Sequence, residues 1–132
     1  MAALTNEQAR LFSEPNFAVV ATIGGEGVPQ QSVVWVDWDG EHVVFNTTAA
    51  RAKSRHLDRD PRVSVLVIDR EDPYRWVAVE GTAELEPEPG IEHIDSLARK
   101  YRDEGWGPPR PGEQRVIVRL RPDQVSTYGF ES

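Results

Sequence analysis

The sequence contains no cysteine, and this absence excludes three kinds of chemistry at once. Disulfide bonds, nucleophilic thiolates and cysteine-bound metals all require that residue. The histidines are few and scattered, at His42, His56 and His93, without the spacing of a metal site. Reactive chemistry must therefore come from other side chains or from a bound cofactor, and we expect no metal.

Further absences concern location and partners. No apolar run approaches the ~20 residues that span a bilayer, and residues 1–10 lack the features of a secretion signal. The 15 Lys and Arg residues are outnumbered by 22 Asp and Glu, giving a net charge of -7, whereas nucleic-acid binding usually needs a broad basic surface. We expect a cytoplasmic protein with one domain, residues 1–132, that binds neither membranes nor nucleic acids.

Hydrophobic patterning predicts a mainly β fold with flanking helices. Runs of β-branched or alternating apolar residues predict six strands, at residues 17–23, 28–37, 42–46, 62–69, 75–85 and 115–121. Turn signals such as Asp39-Gly40 join the first three, which we interpret as an antiparallel meander. Helices are predicted after Thr5, near Ala50 and over residues 91–101. An open sheet of six strands would leave bare edges, so we predict a closed or partly closed antiparallel barrel.

Two strands carry apolar side chains where a half-exposed sheet would not. In the strand at residues 62–69, valines occupy one face and Leu66 and Ile68 the other, which predicts burial of both faces. Trp76 shares a face with Glu80 and Glu84 instead of with the apolar row of its strand. We interpret Trp76 as a contact to a partner subunit or to a flat ligand.

The most informative segment is a cluster of positive charge after the third predicted strand. Five cations there face two carboxylates, a local +3 in an acidic chain: Arg51, Lys53, Arg55, Arg59 and Arg62 against Asp58 and Asp60. A helix starting near Ala50 would place Lys53 in its first turn, where the macrodipole disfavours a cation by roughly 0.3–1 kcal/mol. A bound anion would compensate, and a sequence that breaks a local rule often marks a site.

The three cations at alternate positions cannot all reach one group. At 3.6 residues per turn, Arg51 and Arg55 share a helix face, whereas Lys53 lies about 200° around the axis. We therefore predict a phosphate held by Thr47, Thr48, the free helix amides and Lys53, while Arg51 or Arg55 reaches a second anionic group. The alternative is a solvated helix with surface ion pairs.

The sequence shows no evident arrangement of side chains that would act as a nucleophile or a general base. The segment at residues 24–27 is glycine-rich but lacks the spacing of a nucleotide-binding loop, and no Ser/His/Asp arrangement is evident. Tyr74, Trp76 and Trp35 could surround a conjugated ring, although Trp35 could equally pack in the core. Aromatic walls beside a phosphate site, without a nucleophile or base, favour chemistry carried by a redox cofactor.

The order of several motifs resembles the pyridoxamine 5'-phosphate oxidase-like superfamily, and within it the small reductases that use the deazaflavin coenzyme F420. The motifs are FAVVATI at 17–23, GVPQQS at 27–32, NTTAARAKSR at 46–55, DPRVS at 60–64 and VEGTA at 79–83. The resemblance covers residues 17–129 and implies a six-stranded split β-barrel like that of FMN-binding proteins. It further implies a homodimer with two cofactor sites at the subunit interface.

The resemblance also assigns residues to the cofactor site. The residues that would hold the phosphate and acidic tail are Thr47, Thr48, Arg51, Ala52, Lys53 and Arg55. Those that would line the ring are Pro29, Gln31, Ser32, Val33, Val34 and Trp35. Tyr74 and Trp76 would close the pocket, from the same or the partner subunit. Two departures are His56, where relatives often carry Asn, and residues 128–132, which stop short of the extension that binds vitamin B6.

Three functions remain open at this point. The first is an oxidoreductase in which reduced F420 gives a hydride to a conjugated organic acceptor such as a tetrapyrrole, quinone or enone. The second keeps the fold but uses FMN, whose single phosphate needs fewer cations. The third is a non-catalytic carrier of a flavin-like cofactor. The number of cations favours the first, and no residue is assigned a catalytic role.

Overall fold

The computed structural model describes residues 3–130, which form three helices and seven strands. The helices are α1 (Asn6–Ser13), α2 (Ala52–Arg59) and α3 (Gly90–Arg102). The strands are β1 (Ala18–Ile23), β2 (Pro29–Val34), β3 (Val36–Trp38), β4 (Val43–Thr48), β5 (Arg62–Asp69), β6 (Asp72–Glu86) and β7 (Arg115–Tyr128). Residues 131–132, the last two of the carboxyl end considered above, lie outside this range. None of the described helices is long and apolar enough to cross a membrane.

All seven strands belong to one antiparallel sheet in the order β2-β1-β5-β6-β7-β4-β3. The two edge strands, β2 and β3, are neighbours in the chain and are separated only by Trp35. The chain therefore passes directly from one edge of the sheet to the other, and the sheet curls into a half-barrel. The predicted mainly β split barrel is confirmed, with seven strands instead of six because the run at residues 28–37 divides in two.

The predicted meander of the first three strands is present only in part. β2 pairs with β1 and the short β3 pairs with β4, both antiparallel, but the two pairs lie at opposite edges of the sheet and β4 also pairs with β7. A long-range contact explains the break between β2 and β3: the Tyr101 hydroxyl accepts the backbone N–H of Val36 at 2.9 Å and donates to the Asn16 carbonyl at 2.6 Å. The residue that interrupts the strand is therefore Tyr101, which lies 65 positions downstream of Val36. The pattern of neighbouring residues does not reveal a contact over that distance.

The core fills the inside of the half-barrel, with inward-facing side chains of β1, β4, β5, β6 and β7. Helix α1 begins at the predicted capping box, in which Thr5 and Gln8 bond each other's backbone N–H groups. Its Leu11 and Phe12 are fully buried in the same core. Helix α1 therefore covers the core of the half-barrel.

Helix α3 packs on the other side of β4 and β7 and buries Ile94, Leu97 and Ala98. Lys100 near its end donates to the carbonyls of Phe12 and Val36, at 2.7 and 2.6 Å. Helix α3 therefore contacts α1, the edge strand β3 and the outer face of β4. It forms one wall of the site described below.

Part of the outer face of β1, β2, β5, β6 and β7 is apolar, beside the exposed carboxylates Glu80 and Glu84. Register places Leu66 beside Val19 and Ala78, and Ile68 beside Trp76, which is in turn beside Tyr128. The prediction that both faces of β5 are buried is wrong for the single chain, since Ile68 is 37% exposed whereas the valines face the core. Other large side chains of this surface are also exposed: Phe17, Val33 and Tyr128.

Candidate functional site

The amino end of α2 carries two cations without acidic partners. Arg51 is the N-cap, with extended backbone and no side-chain cap bond, so the helix begins two residues later than the predicted Ala50. Lys53 lies in the first turn, half-buried, and its Nζ donates to Ser32 Oγ of β2 at 2.9 Å. Burial and then the charge of Arg51 lower the Lys53 pKa. Within residues 3–130, neither side chain forms an ion pair.

Two adjoining cavities share Arg51 and Lys53 in their walls. The first, here the aromatic cavity, has a volume of about 330 Å³. Its lining consists of Phe17, Val33, Val34, Trp35, Asn46, Arg51, Lys53, Ile94, Leu97, Trp106 and Arg115. The second, here the α2 cavity, has about 270 Å³ and is lined by Thr22, Gln30, Gln31, Ser32, Arg51, Ala52 and Lys53. Neither lining contains a carboxylate, so the pair of cavities is suited to an anion joined to a flat apolar group.

Aromatic side chains form the rigid wall of the aromatic cavity. Trp35 stacks on Tyr101 of α3, with ring centroids 5.5 Å apart and planes 13° apart. Trp106 meets Trp35 edge-on, at 6.2 Å and 89°. Burial raises the pKa of Tyr101 to about 12, so its hydroxyl stays protonated and keeps the bonds that hold the turn at Trp35. Such offset and edge-on pairs are favourable arrangements for rings that border a flat ligand.

Asn46 is the neutral polar side chain of the aromatic cavity. Its Nδ2 donates to the Gly90 carbonyl at 3.0 Å and to His93 Nδ1 at 2.9 Å, while its buried Oδ1 has no partner among residues 3–130. Burial, helped by the charge of Arg119, lowers the His93 pKa to about 4. His93 is therefore neutral near pH 7 and can accept the Asn46 N–H, which fixes the side chain against α3.

A buried ion pair adjoins the same cavity. Arg115 Nε donates to Glu113 Oε2 at 2.8 Å, and the two side chains are only 7% and 8% exposed. The guanidinium carbon of Arg115 lies 4.5 Å from the ring centre of Trp106. Hydrogen bonds from the backbone of Arg110 and then from Arg115 hold the pKa of Glu113 below its usual range. The Glu113 carboxylate therefore remains charged at neutral pH.

The structure brings many of the predicted site residues together and leaves others apart. Those lining one or both cavities are Gln31, Ser32, Val33, Val34, Trp35, Arg51, Ala52 and Lys53. Pro29 instead borders a groove on the outer face of the sheet. Thr47 and Thr48 belong to β4 and line neither cavity, and within the described residues the buried Thr47 Oγ1 has no hydrogen-bond partner. Arg55 is exposed and donates to the Ala50 carbonyl, outside both cavities.

The two predicted closing aromatics lie elsewhere on the chain. Tyr74 is 74% exposed, and Trp76 is half-buried on the outer face, where it stacks on Tyr128 at 6.4 Å and 14°. Neither residue lines the aromatic cavity of its own chain. A role for them in the site requires a second subunit.

Sequence reasoning missed six residues that line the aromatic cavity: Phe17, Asn46, Ile94, Leu97, Trp106 and Arg115. Arg115 lies in the last predicted strand, where arginines alternate with apolar residues, and Trp106 lies in the Gly- and Pro-rich segment at residues 105–112. Both features are visible in the sequence, but neither identifies a ligand site. These residues line one cavity because α3 packs across β4 and β7. No local pattern contains that contact.

His56 departs from the family pattern but has a structural role here. Its ring is buried, and its Nδ1 pairs with Thr22 Oγ1 at 2.8 Å. This bond ties α2 to β1, and His56 lines neither of the two cavities. Among the residues described, no group of three His, Asp or Glu side chains could hold a metal ion.

Comparisons with known proteins identify the family and the fold. The profile of the pyridoxamine 5'-phosphate oxidase family matches residues 4–129. A pyridoxine/pyridoxamine 5'-phosphate oxidase of Kineococcus radiotolerans is 40% identical over 74 residues, which cover 56% of this chain and 33% of that protein. The match thus spans about a third of the curated relative.

Solved structures share the fold over nearly the whole chain. An F420 reductase superposes with a TM-score of 0.84 and 33% identity, covering 93% of this chain and 98% of the other. A conserved hypothetical protein of Mycobacterium tuberculosis gives a TM-score of 0.76 and 28% identity, covering 97% and 86%. The split barrel, the order of its motifs and the family match over residues 4–129 show that this chain belongs to the pyridoxamine 5'-phosphate oxidase family.

Proposed function

We propose that this chain is an F420-dependent oxidoreductase that reduces a conjugated organic acceptor of the tetrapyrrole, quinone or enone type. The observation that carries the proposal is the Arg51–Lys53 pair, two cations without acidic partners in the described chain, at the junction of an aromatic and a smaller cavity. When bound, reduced F420 supplies a hydride. Family membership supports flavin-type redox chemistry in general, and the F420 reductase relative supports the deazaflavin in particular.

The residues present fit an anionic tail in the α2 cavity. Lys53 is partly desolvated beside a like charge, an arrangement that lowers its pKa and that a bound phosphate would relieve. Ser32 fixes the direction of the ammonium group. The first amides of α2 add donors at the same end of the helix. Arg51, which lines both cavities, would bind the phosphate or a carboxylate farther along the tail.

The aromatic cavity fits a flat ring. Trp35 and Trp106 supply edges and faces, while Val34, Ile94 and Leu97 exclude water from the space between them. Within this space the chain would hold a bound ring and an acceptor face to face, as positional catalysis at a near-attack separation of about 3–3.5 Å requires. No side chain is assigned the transfer of the final proton, which would come from water or the cofactor.

A homodimer completes the proposed site. The outer sheet face has an apolar area, with Ile68 and Tyr128 exposed and Trp76 between them in the register. Contiguous apolar patches on a soluble protein mark interaction surfaces. Pairing this face with a second copy would bury it and would bring the Tyr74 and Trp76 of one subunit toward the cavities of the other.

FMN is the second candidate cofactor, and one observation favours it. Of the cations counted in the sequence, only Arg51 and Lys53 reach the α2 cavity, a number that a single phosphate could satisfy. The exposed position of Arg55 thus weakens the argument from charge alone. A carrier without turnover would require the same binding residues but no acceptor.

Binding and turnover separate these functions. Protein from a host without F420 should be colourless and should bind added oxidised F420 more tightly than FMN in a fluorescence titration. Reduced F420 should then be oxidised in the presence of a panel of quinones, enones and tetrapyrroles. A yellow protein that prefers FMN would overturn the choice of cofactor, and tight F420 binding without oxidation by any acceptor class would favour the carrier.

A further inference from the structure

Arg115 places a third cation on the aromatic cavity, separate from the pair at the start of α2. It lines the aromatic cavity but not the α2 cavity, so an anionic tail held by Lys53 leaves Arg115 to meet another part of the ligand. Arg115 is the first residue of β7, opposite Thr48 of β4, and is therefore anchored in the sheet. Its position is fixed before any ligand arrives.

Glu113 and Trp106 hold the guanidinium group. Nε donates to the Glu113 carboxylate, whose other oxygen accepts the Arg110 backbone N–H at 3.1 Å. The face of the guanidinium lies against the Trp106 ring. These contacts occupy one edge and one face of a planar group that carries five N–H donors, so its terminal N–H groups are the ones that can reach a ligand.

The two partners of this ion pair are exposed to different cavities. Arg115 borders both the aromatic cavity and a smaller one of about 240 Å³, whereas Glu113 borders only the smaller one. The positive charge therefore faces the aromatic cavity while the carboxylate lies behind it. A buried ion pair gives little net stability, because desolvation offsets the attraction, so packing alone does not explain a charge placed here.

We propose that Arg115 donates hydrogen bonds to an oxygen-bearing edge of the bound cofactor ring and so holds the reduced, negatively charged ring more tightly than the oxidised ring. The inference rests on the proposed function and assigns it a further residue. A hydride carries two electrons and one proton, so a ring that receives one gains a negative charge until another proton follows. A fixed cation at the ring edge stabilises that charge. Glu113 acts as a positioning residue for Arg115.

The test compares the affinities of the two redox forms. Wild-type protein, Arg115→Gln and Arg115→Lys are titrated with oxidised and with reduced F420 in anaerobic calorimetry. Arg121→Gln is the matched control, because it removes an exposed charge from the same strand, paired only loosely with Glu84 at 3.8 Å. We expect the wild type and the control to bind the reduced form about tenfold more tightly, which raises the midpoint potential by about 30 mV for a two-electron couple.

In Arg115→Gln the preference for the reduced form should disappear, while affinity for the oxidised form changes by less than about threefold. Arg115→Lys should keep part of the preference, and Glu113→Gln should reduce it. Equal affinities in the wild type, or an undiminished preference in Arg115→Gln, would overturn the inference. If Arg115→Gln does not fold, the wild-type ratio and the Glu113→Gln variant decide the question by themselves.

The outcome distinguishes this inference from the function on which it rests. Normal binding of oxidised F420 with no redox preference would remove the role of Arg115 and leave the proposed function standing. If F420 does not bind but FMN does, the same comparison is made with FMN and its midpoint potential. Binding of neither cofactor would overturn both proposals.

Discussion

At the scale of single residues, the site depends on how much water each cation loses. Lys53 is half-buried beside Arg51 and has a hydroxyl as its partner, whereas Arg55 two positions later lies in solvent and bonds the Ala50 carbonyl. The sequence placed both in one charge cluster and separated them by helix angle, but its grouping of Arg51 with Arg55 is wrong, because Arg51 is the N-cap and lines both cavities with Lys53. Burial, which depends on where β2 crosses the start of α2, was not visible in the pattern.

Lys53→Gln should weaken binding of oxidised F420 by about ten- to a hundredfold, because one charge-assisted contact to phosphate is worth roughly 1.5–3 kcal/mol. Stability should barely change, since the cation is already disfavoured in the folded chain. Fluorescence titration and thermal unfolding measure the two effects. Arg55→Gln is the matched control and should change affinity by less than about threefold. Equal losses in both variants would contradict the assignment of Lys53 to the tail.

At the scale of elements, α3 decides the shape of the aromatic cavity. It presents Ile94 and Leu97 to the cavity, bonds Asn46 of β4 through His93, and holds the turn at Trp35 through Tyr101. Helical periodicity predicted the helix and its buried stripe correctly. The contacts of His93 with Asn46 and of Tyr101 with Val36 join residues more than 40 positions apart, so they depend on how the elements pack and not on their own sequences.

The bond between α3 and β4 predicts a pH-dependent stability. An unfolded chain protonates His93 below about pH 6.5, whereas burial lowers the folded pKa to about 4. The unfolded state therefore binds more protons between these values. Stability is full above about pH 6.5 and falls as the pH decreases toward 4, by on the order of 2 kcal/mol after allowance for partial exposure.

Urea unfolding of the wild type and His93→Gln from pH 7 to pH 4 measures this contribution. The substitution should lower stability at pH 7 and flatten the curve above pH 4.5. Ser96→Ala, an exposed position on the same helix, should keep the wild-type slope. A wild-type slope in His93→Gln would show that other groups cause the dependence.

At the scale of the whole molecule, the curled sheet has an apolar inner surface, which is buried, and an apolar area on its outer surface, which is partly exposed. The inside is filled by the chain's own valines, while the outside leaves Ile68 and Tyr128 exposed around a half-buried Trp76. The sequence already indicated that Trp76 faced away from the core row. It could not show that the same face continues across β1 and β2, because that neighbourhood is set by strand order.

Trp76→Ala should shift the proposed dimer toward monomer and weaken cofactor binding together, since both would depend on the outer face. Sedimentation velocity and F420 titration on the same samples measure the two effects. Glu84→Gln, farther along the same strand, serves as the control and should remain dimeric. A Trp76→Ala protein that stays dimeric and binds F420 normally would remove the link between assembly and site.

The sequence by itself determined the strands, the helices, the family and the basic segment, because alternation, helical periodicity and charge excess are properties of neighbouring residues. Only the tertiary structure showed that β4 pairs with β7, away from β1 and β2, and that Trp106, Asn46 and Arg115 line one cavity with Trp35. Those contacts join segments far apart in the chain. Their formation depends on how the sheet curls and where α3 packs, and both are set by the packing of the core as a whole.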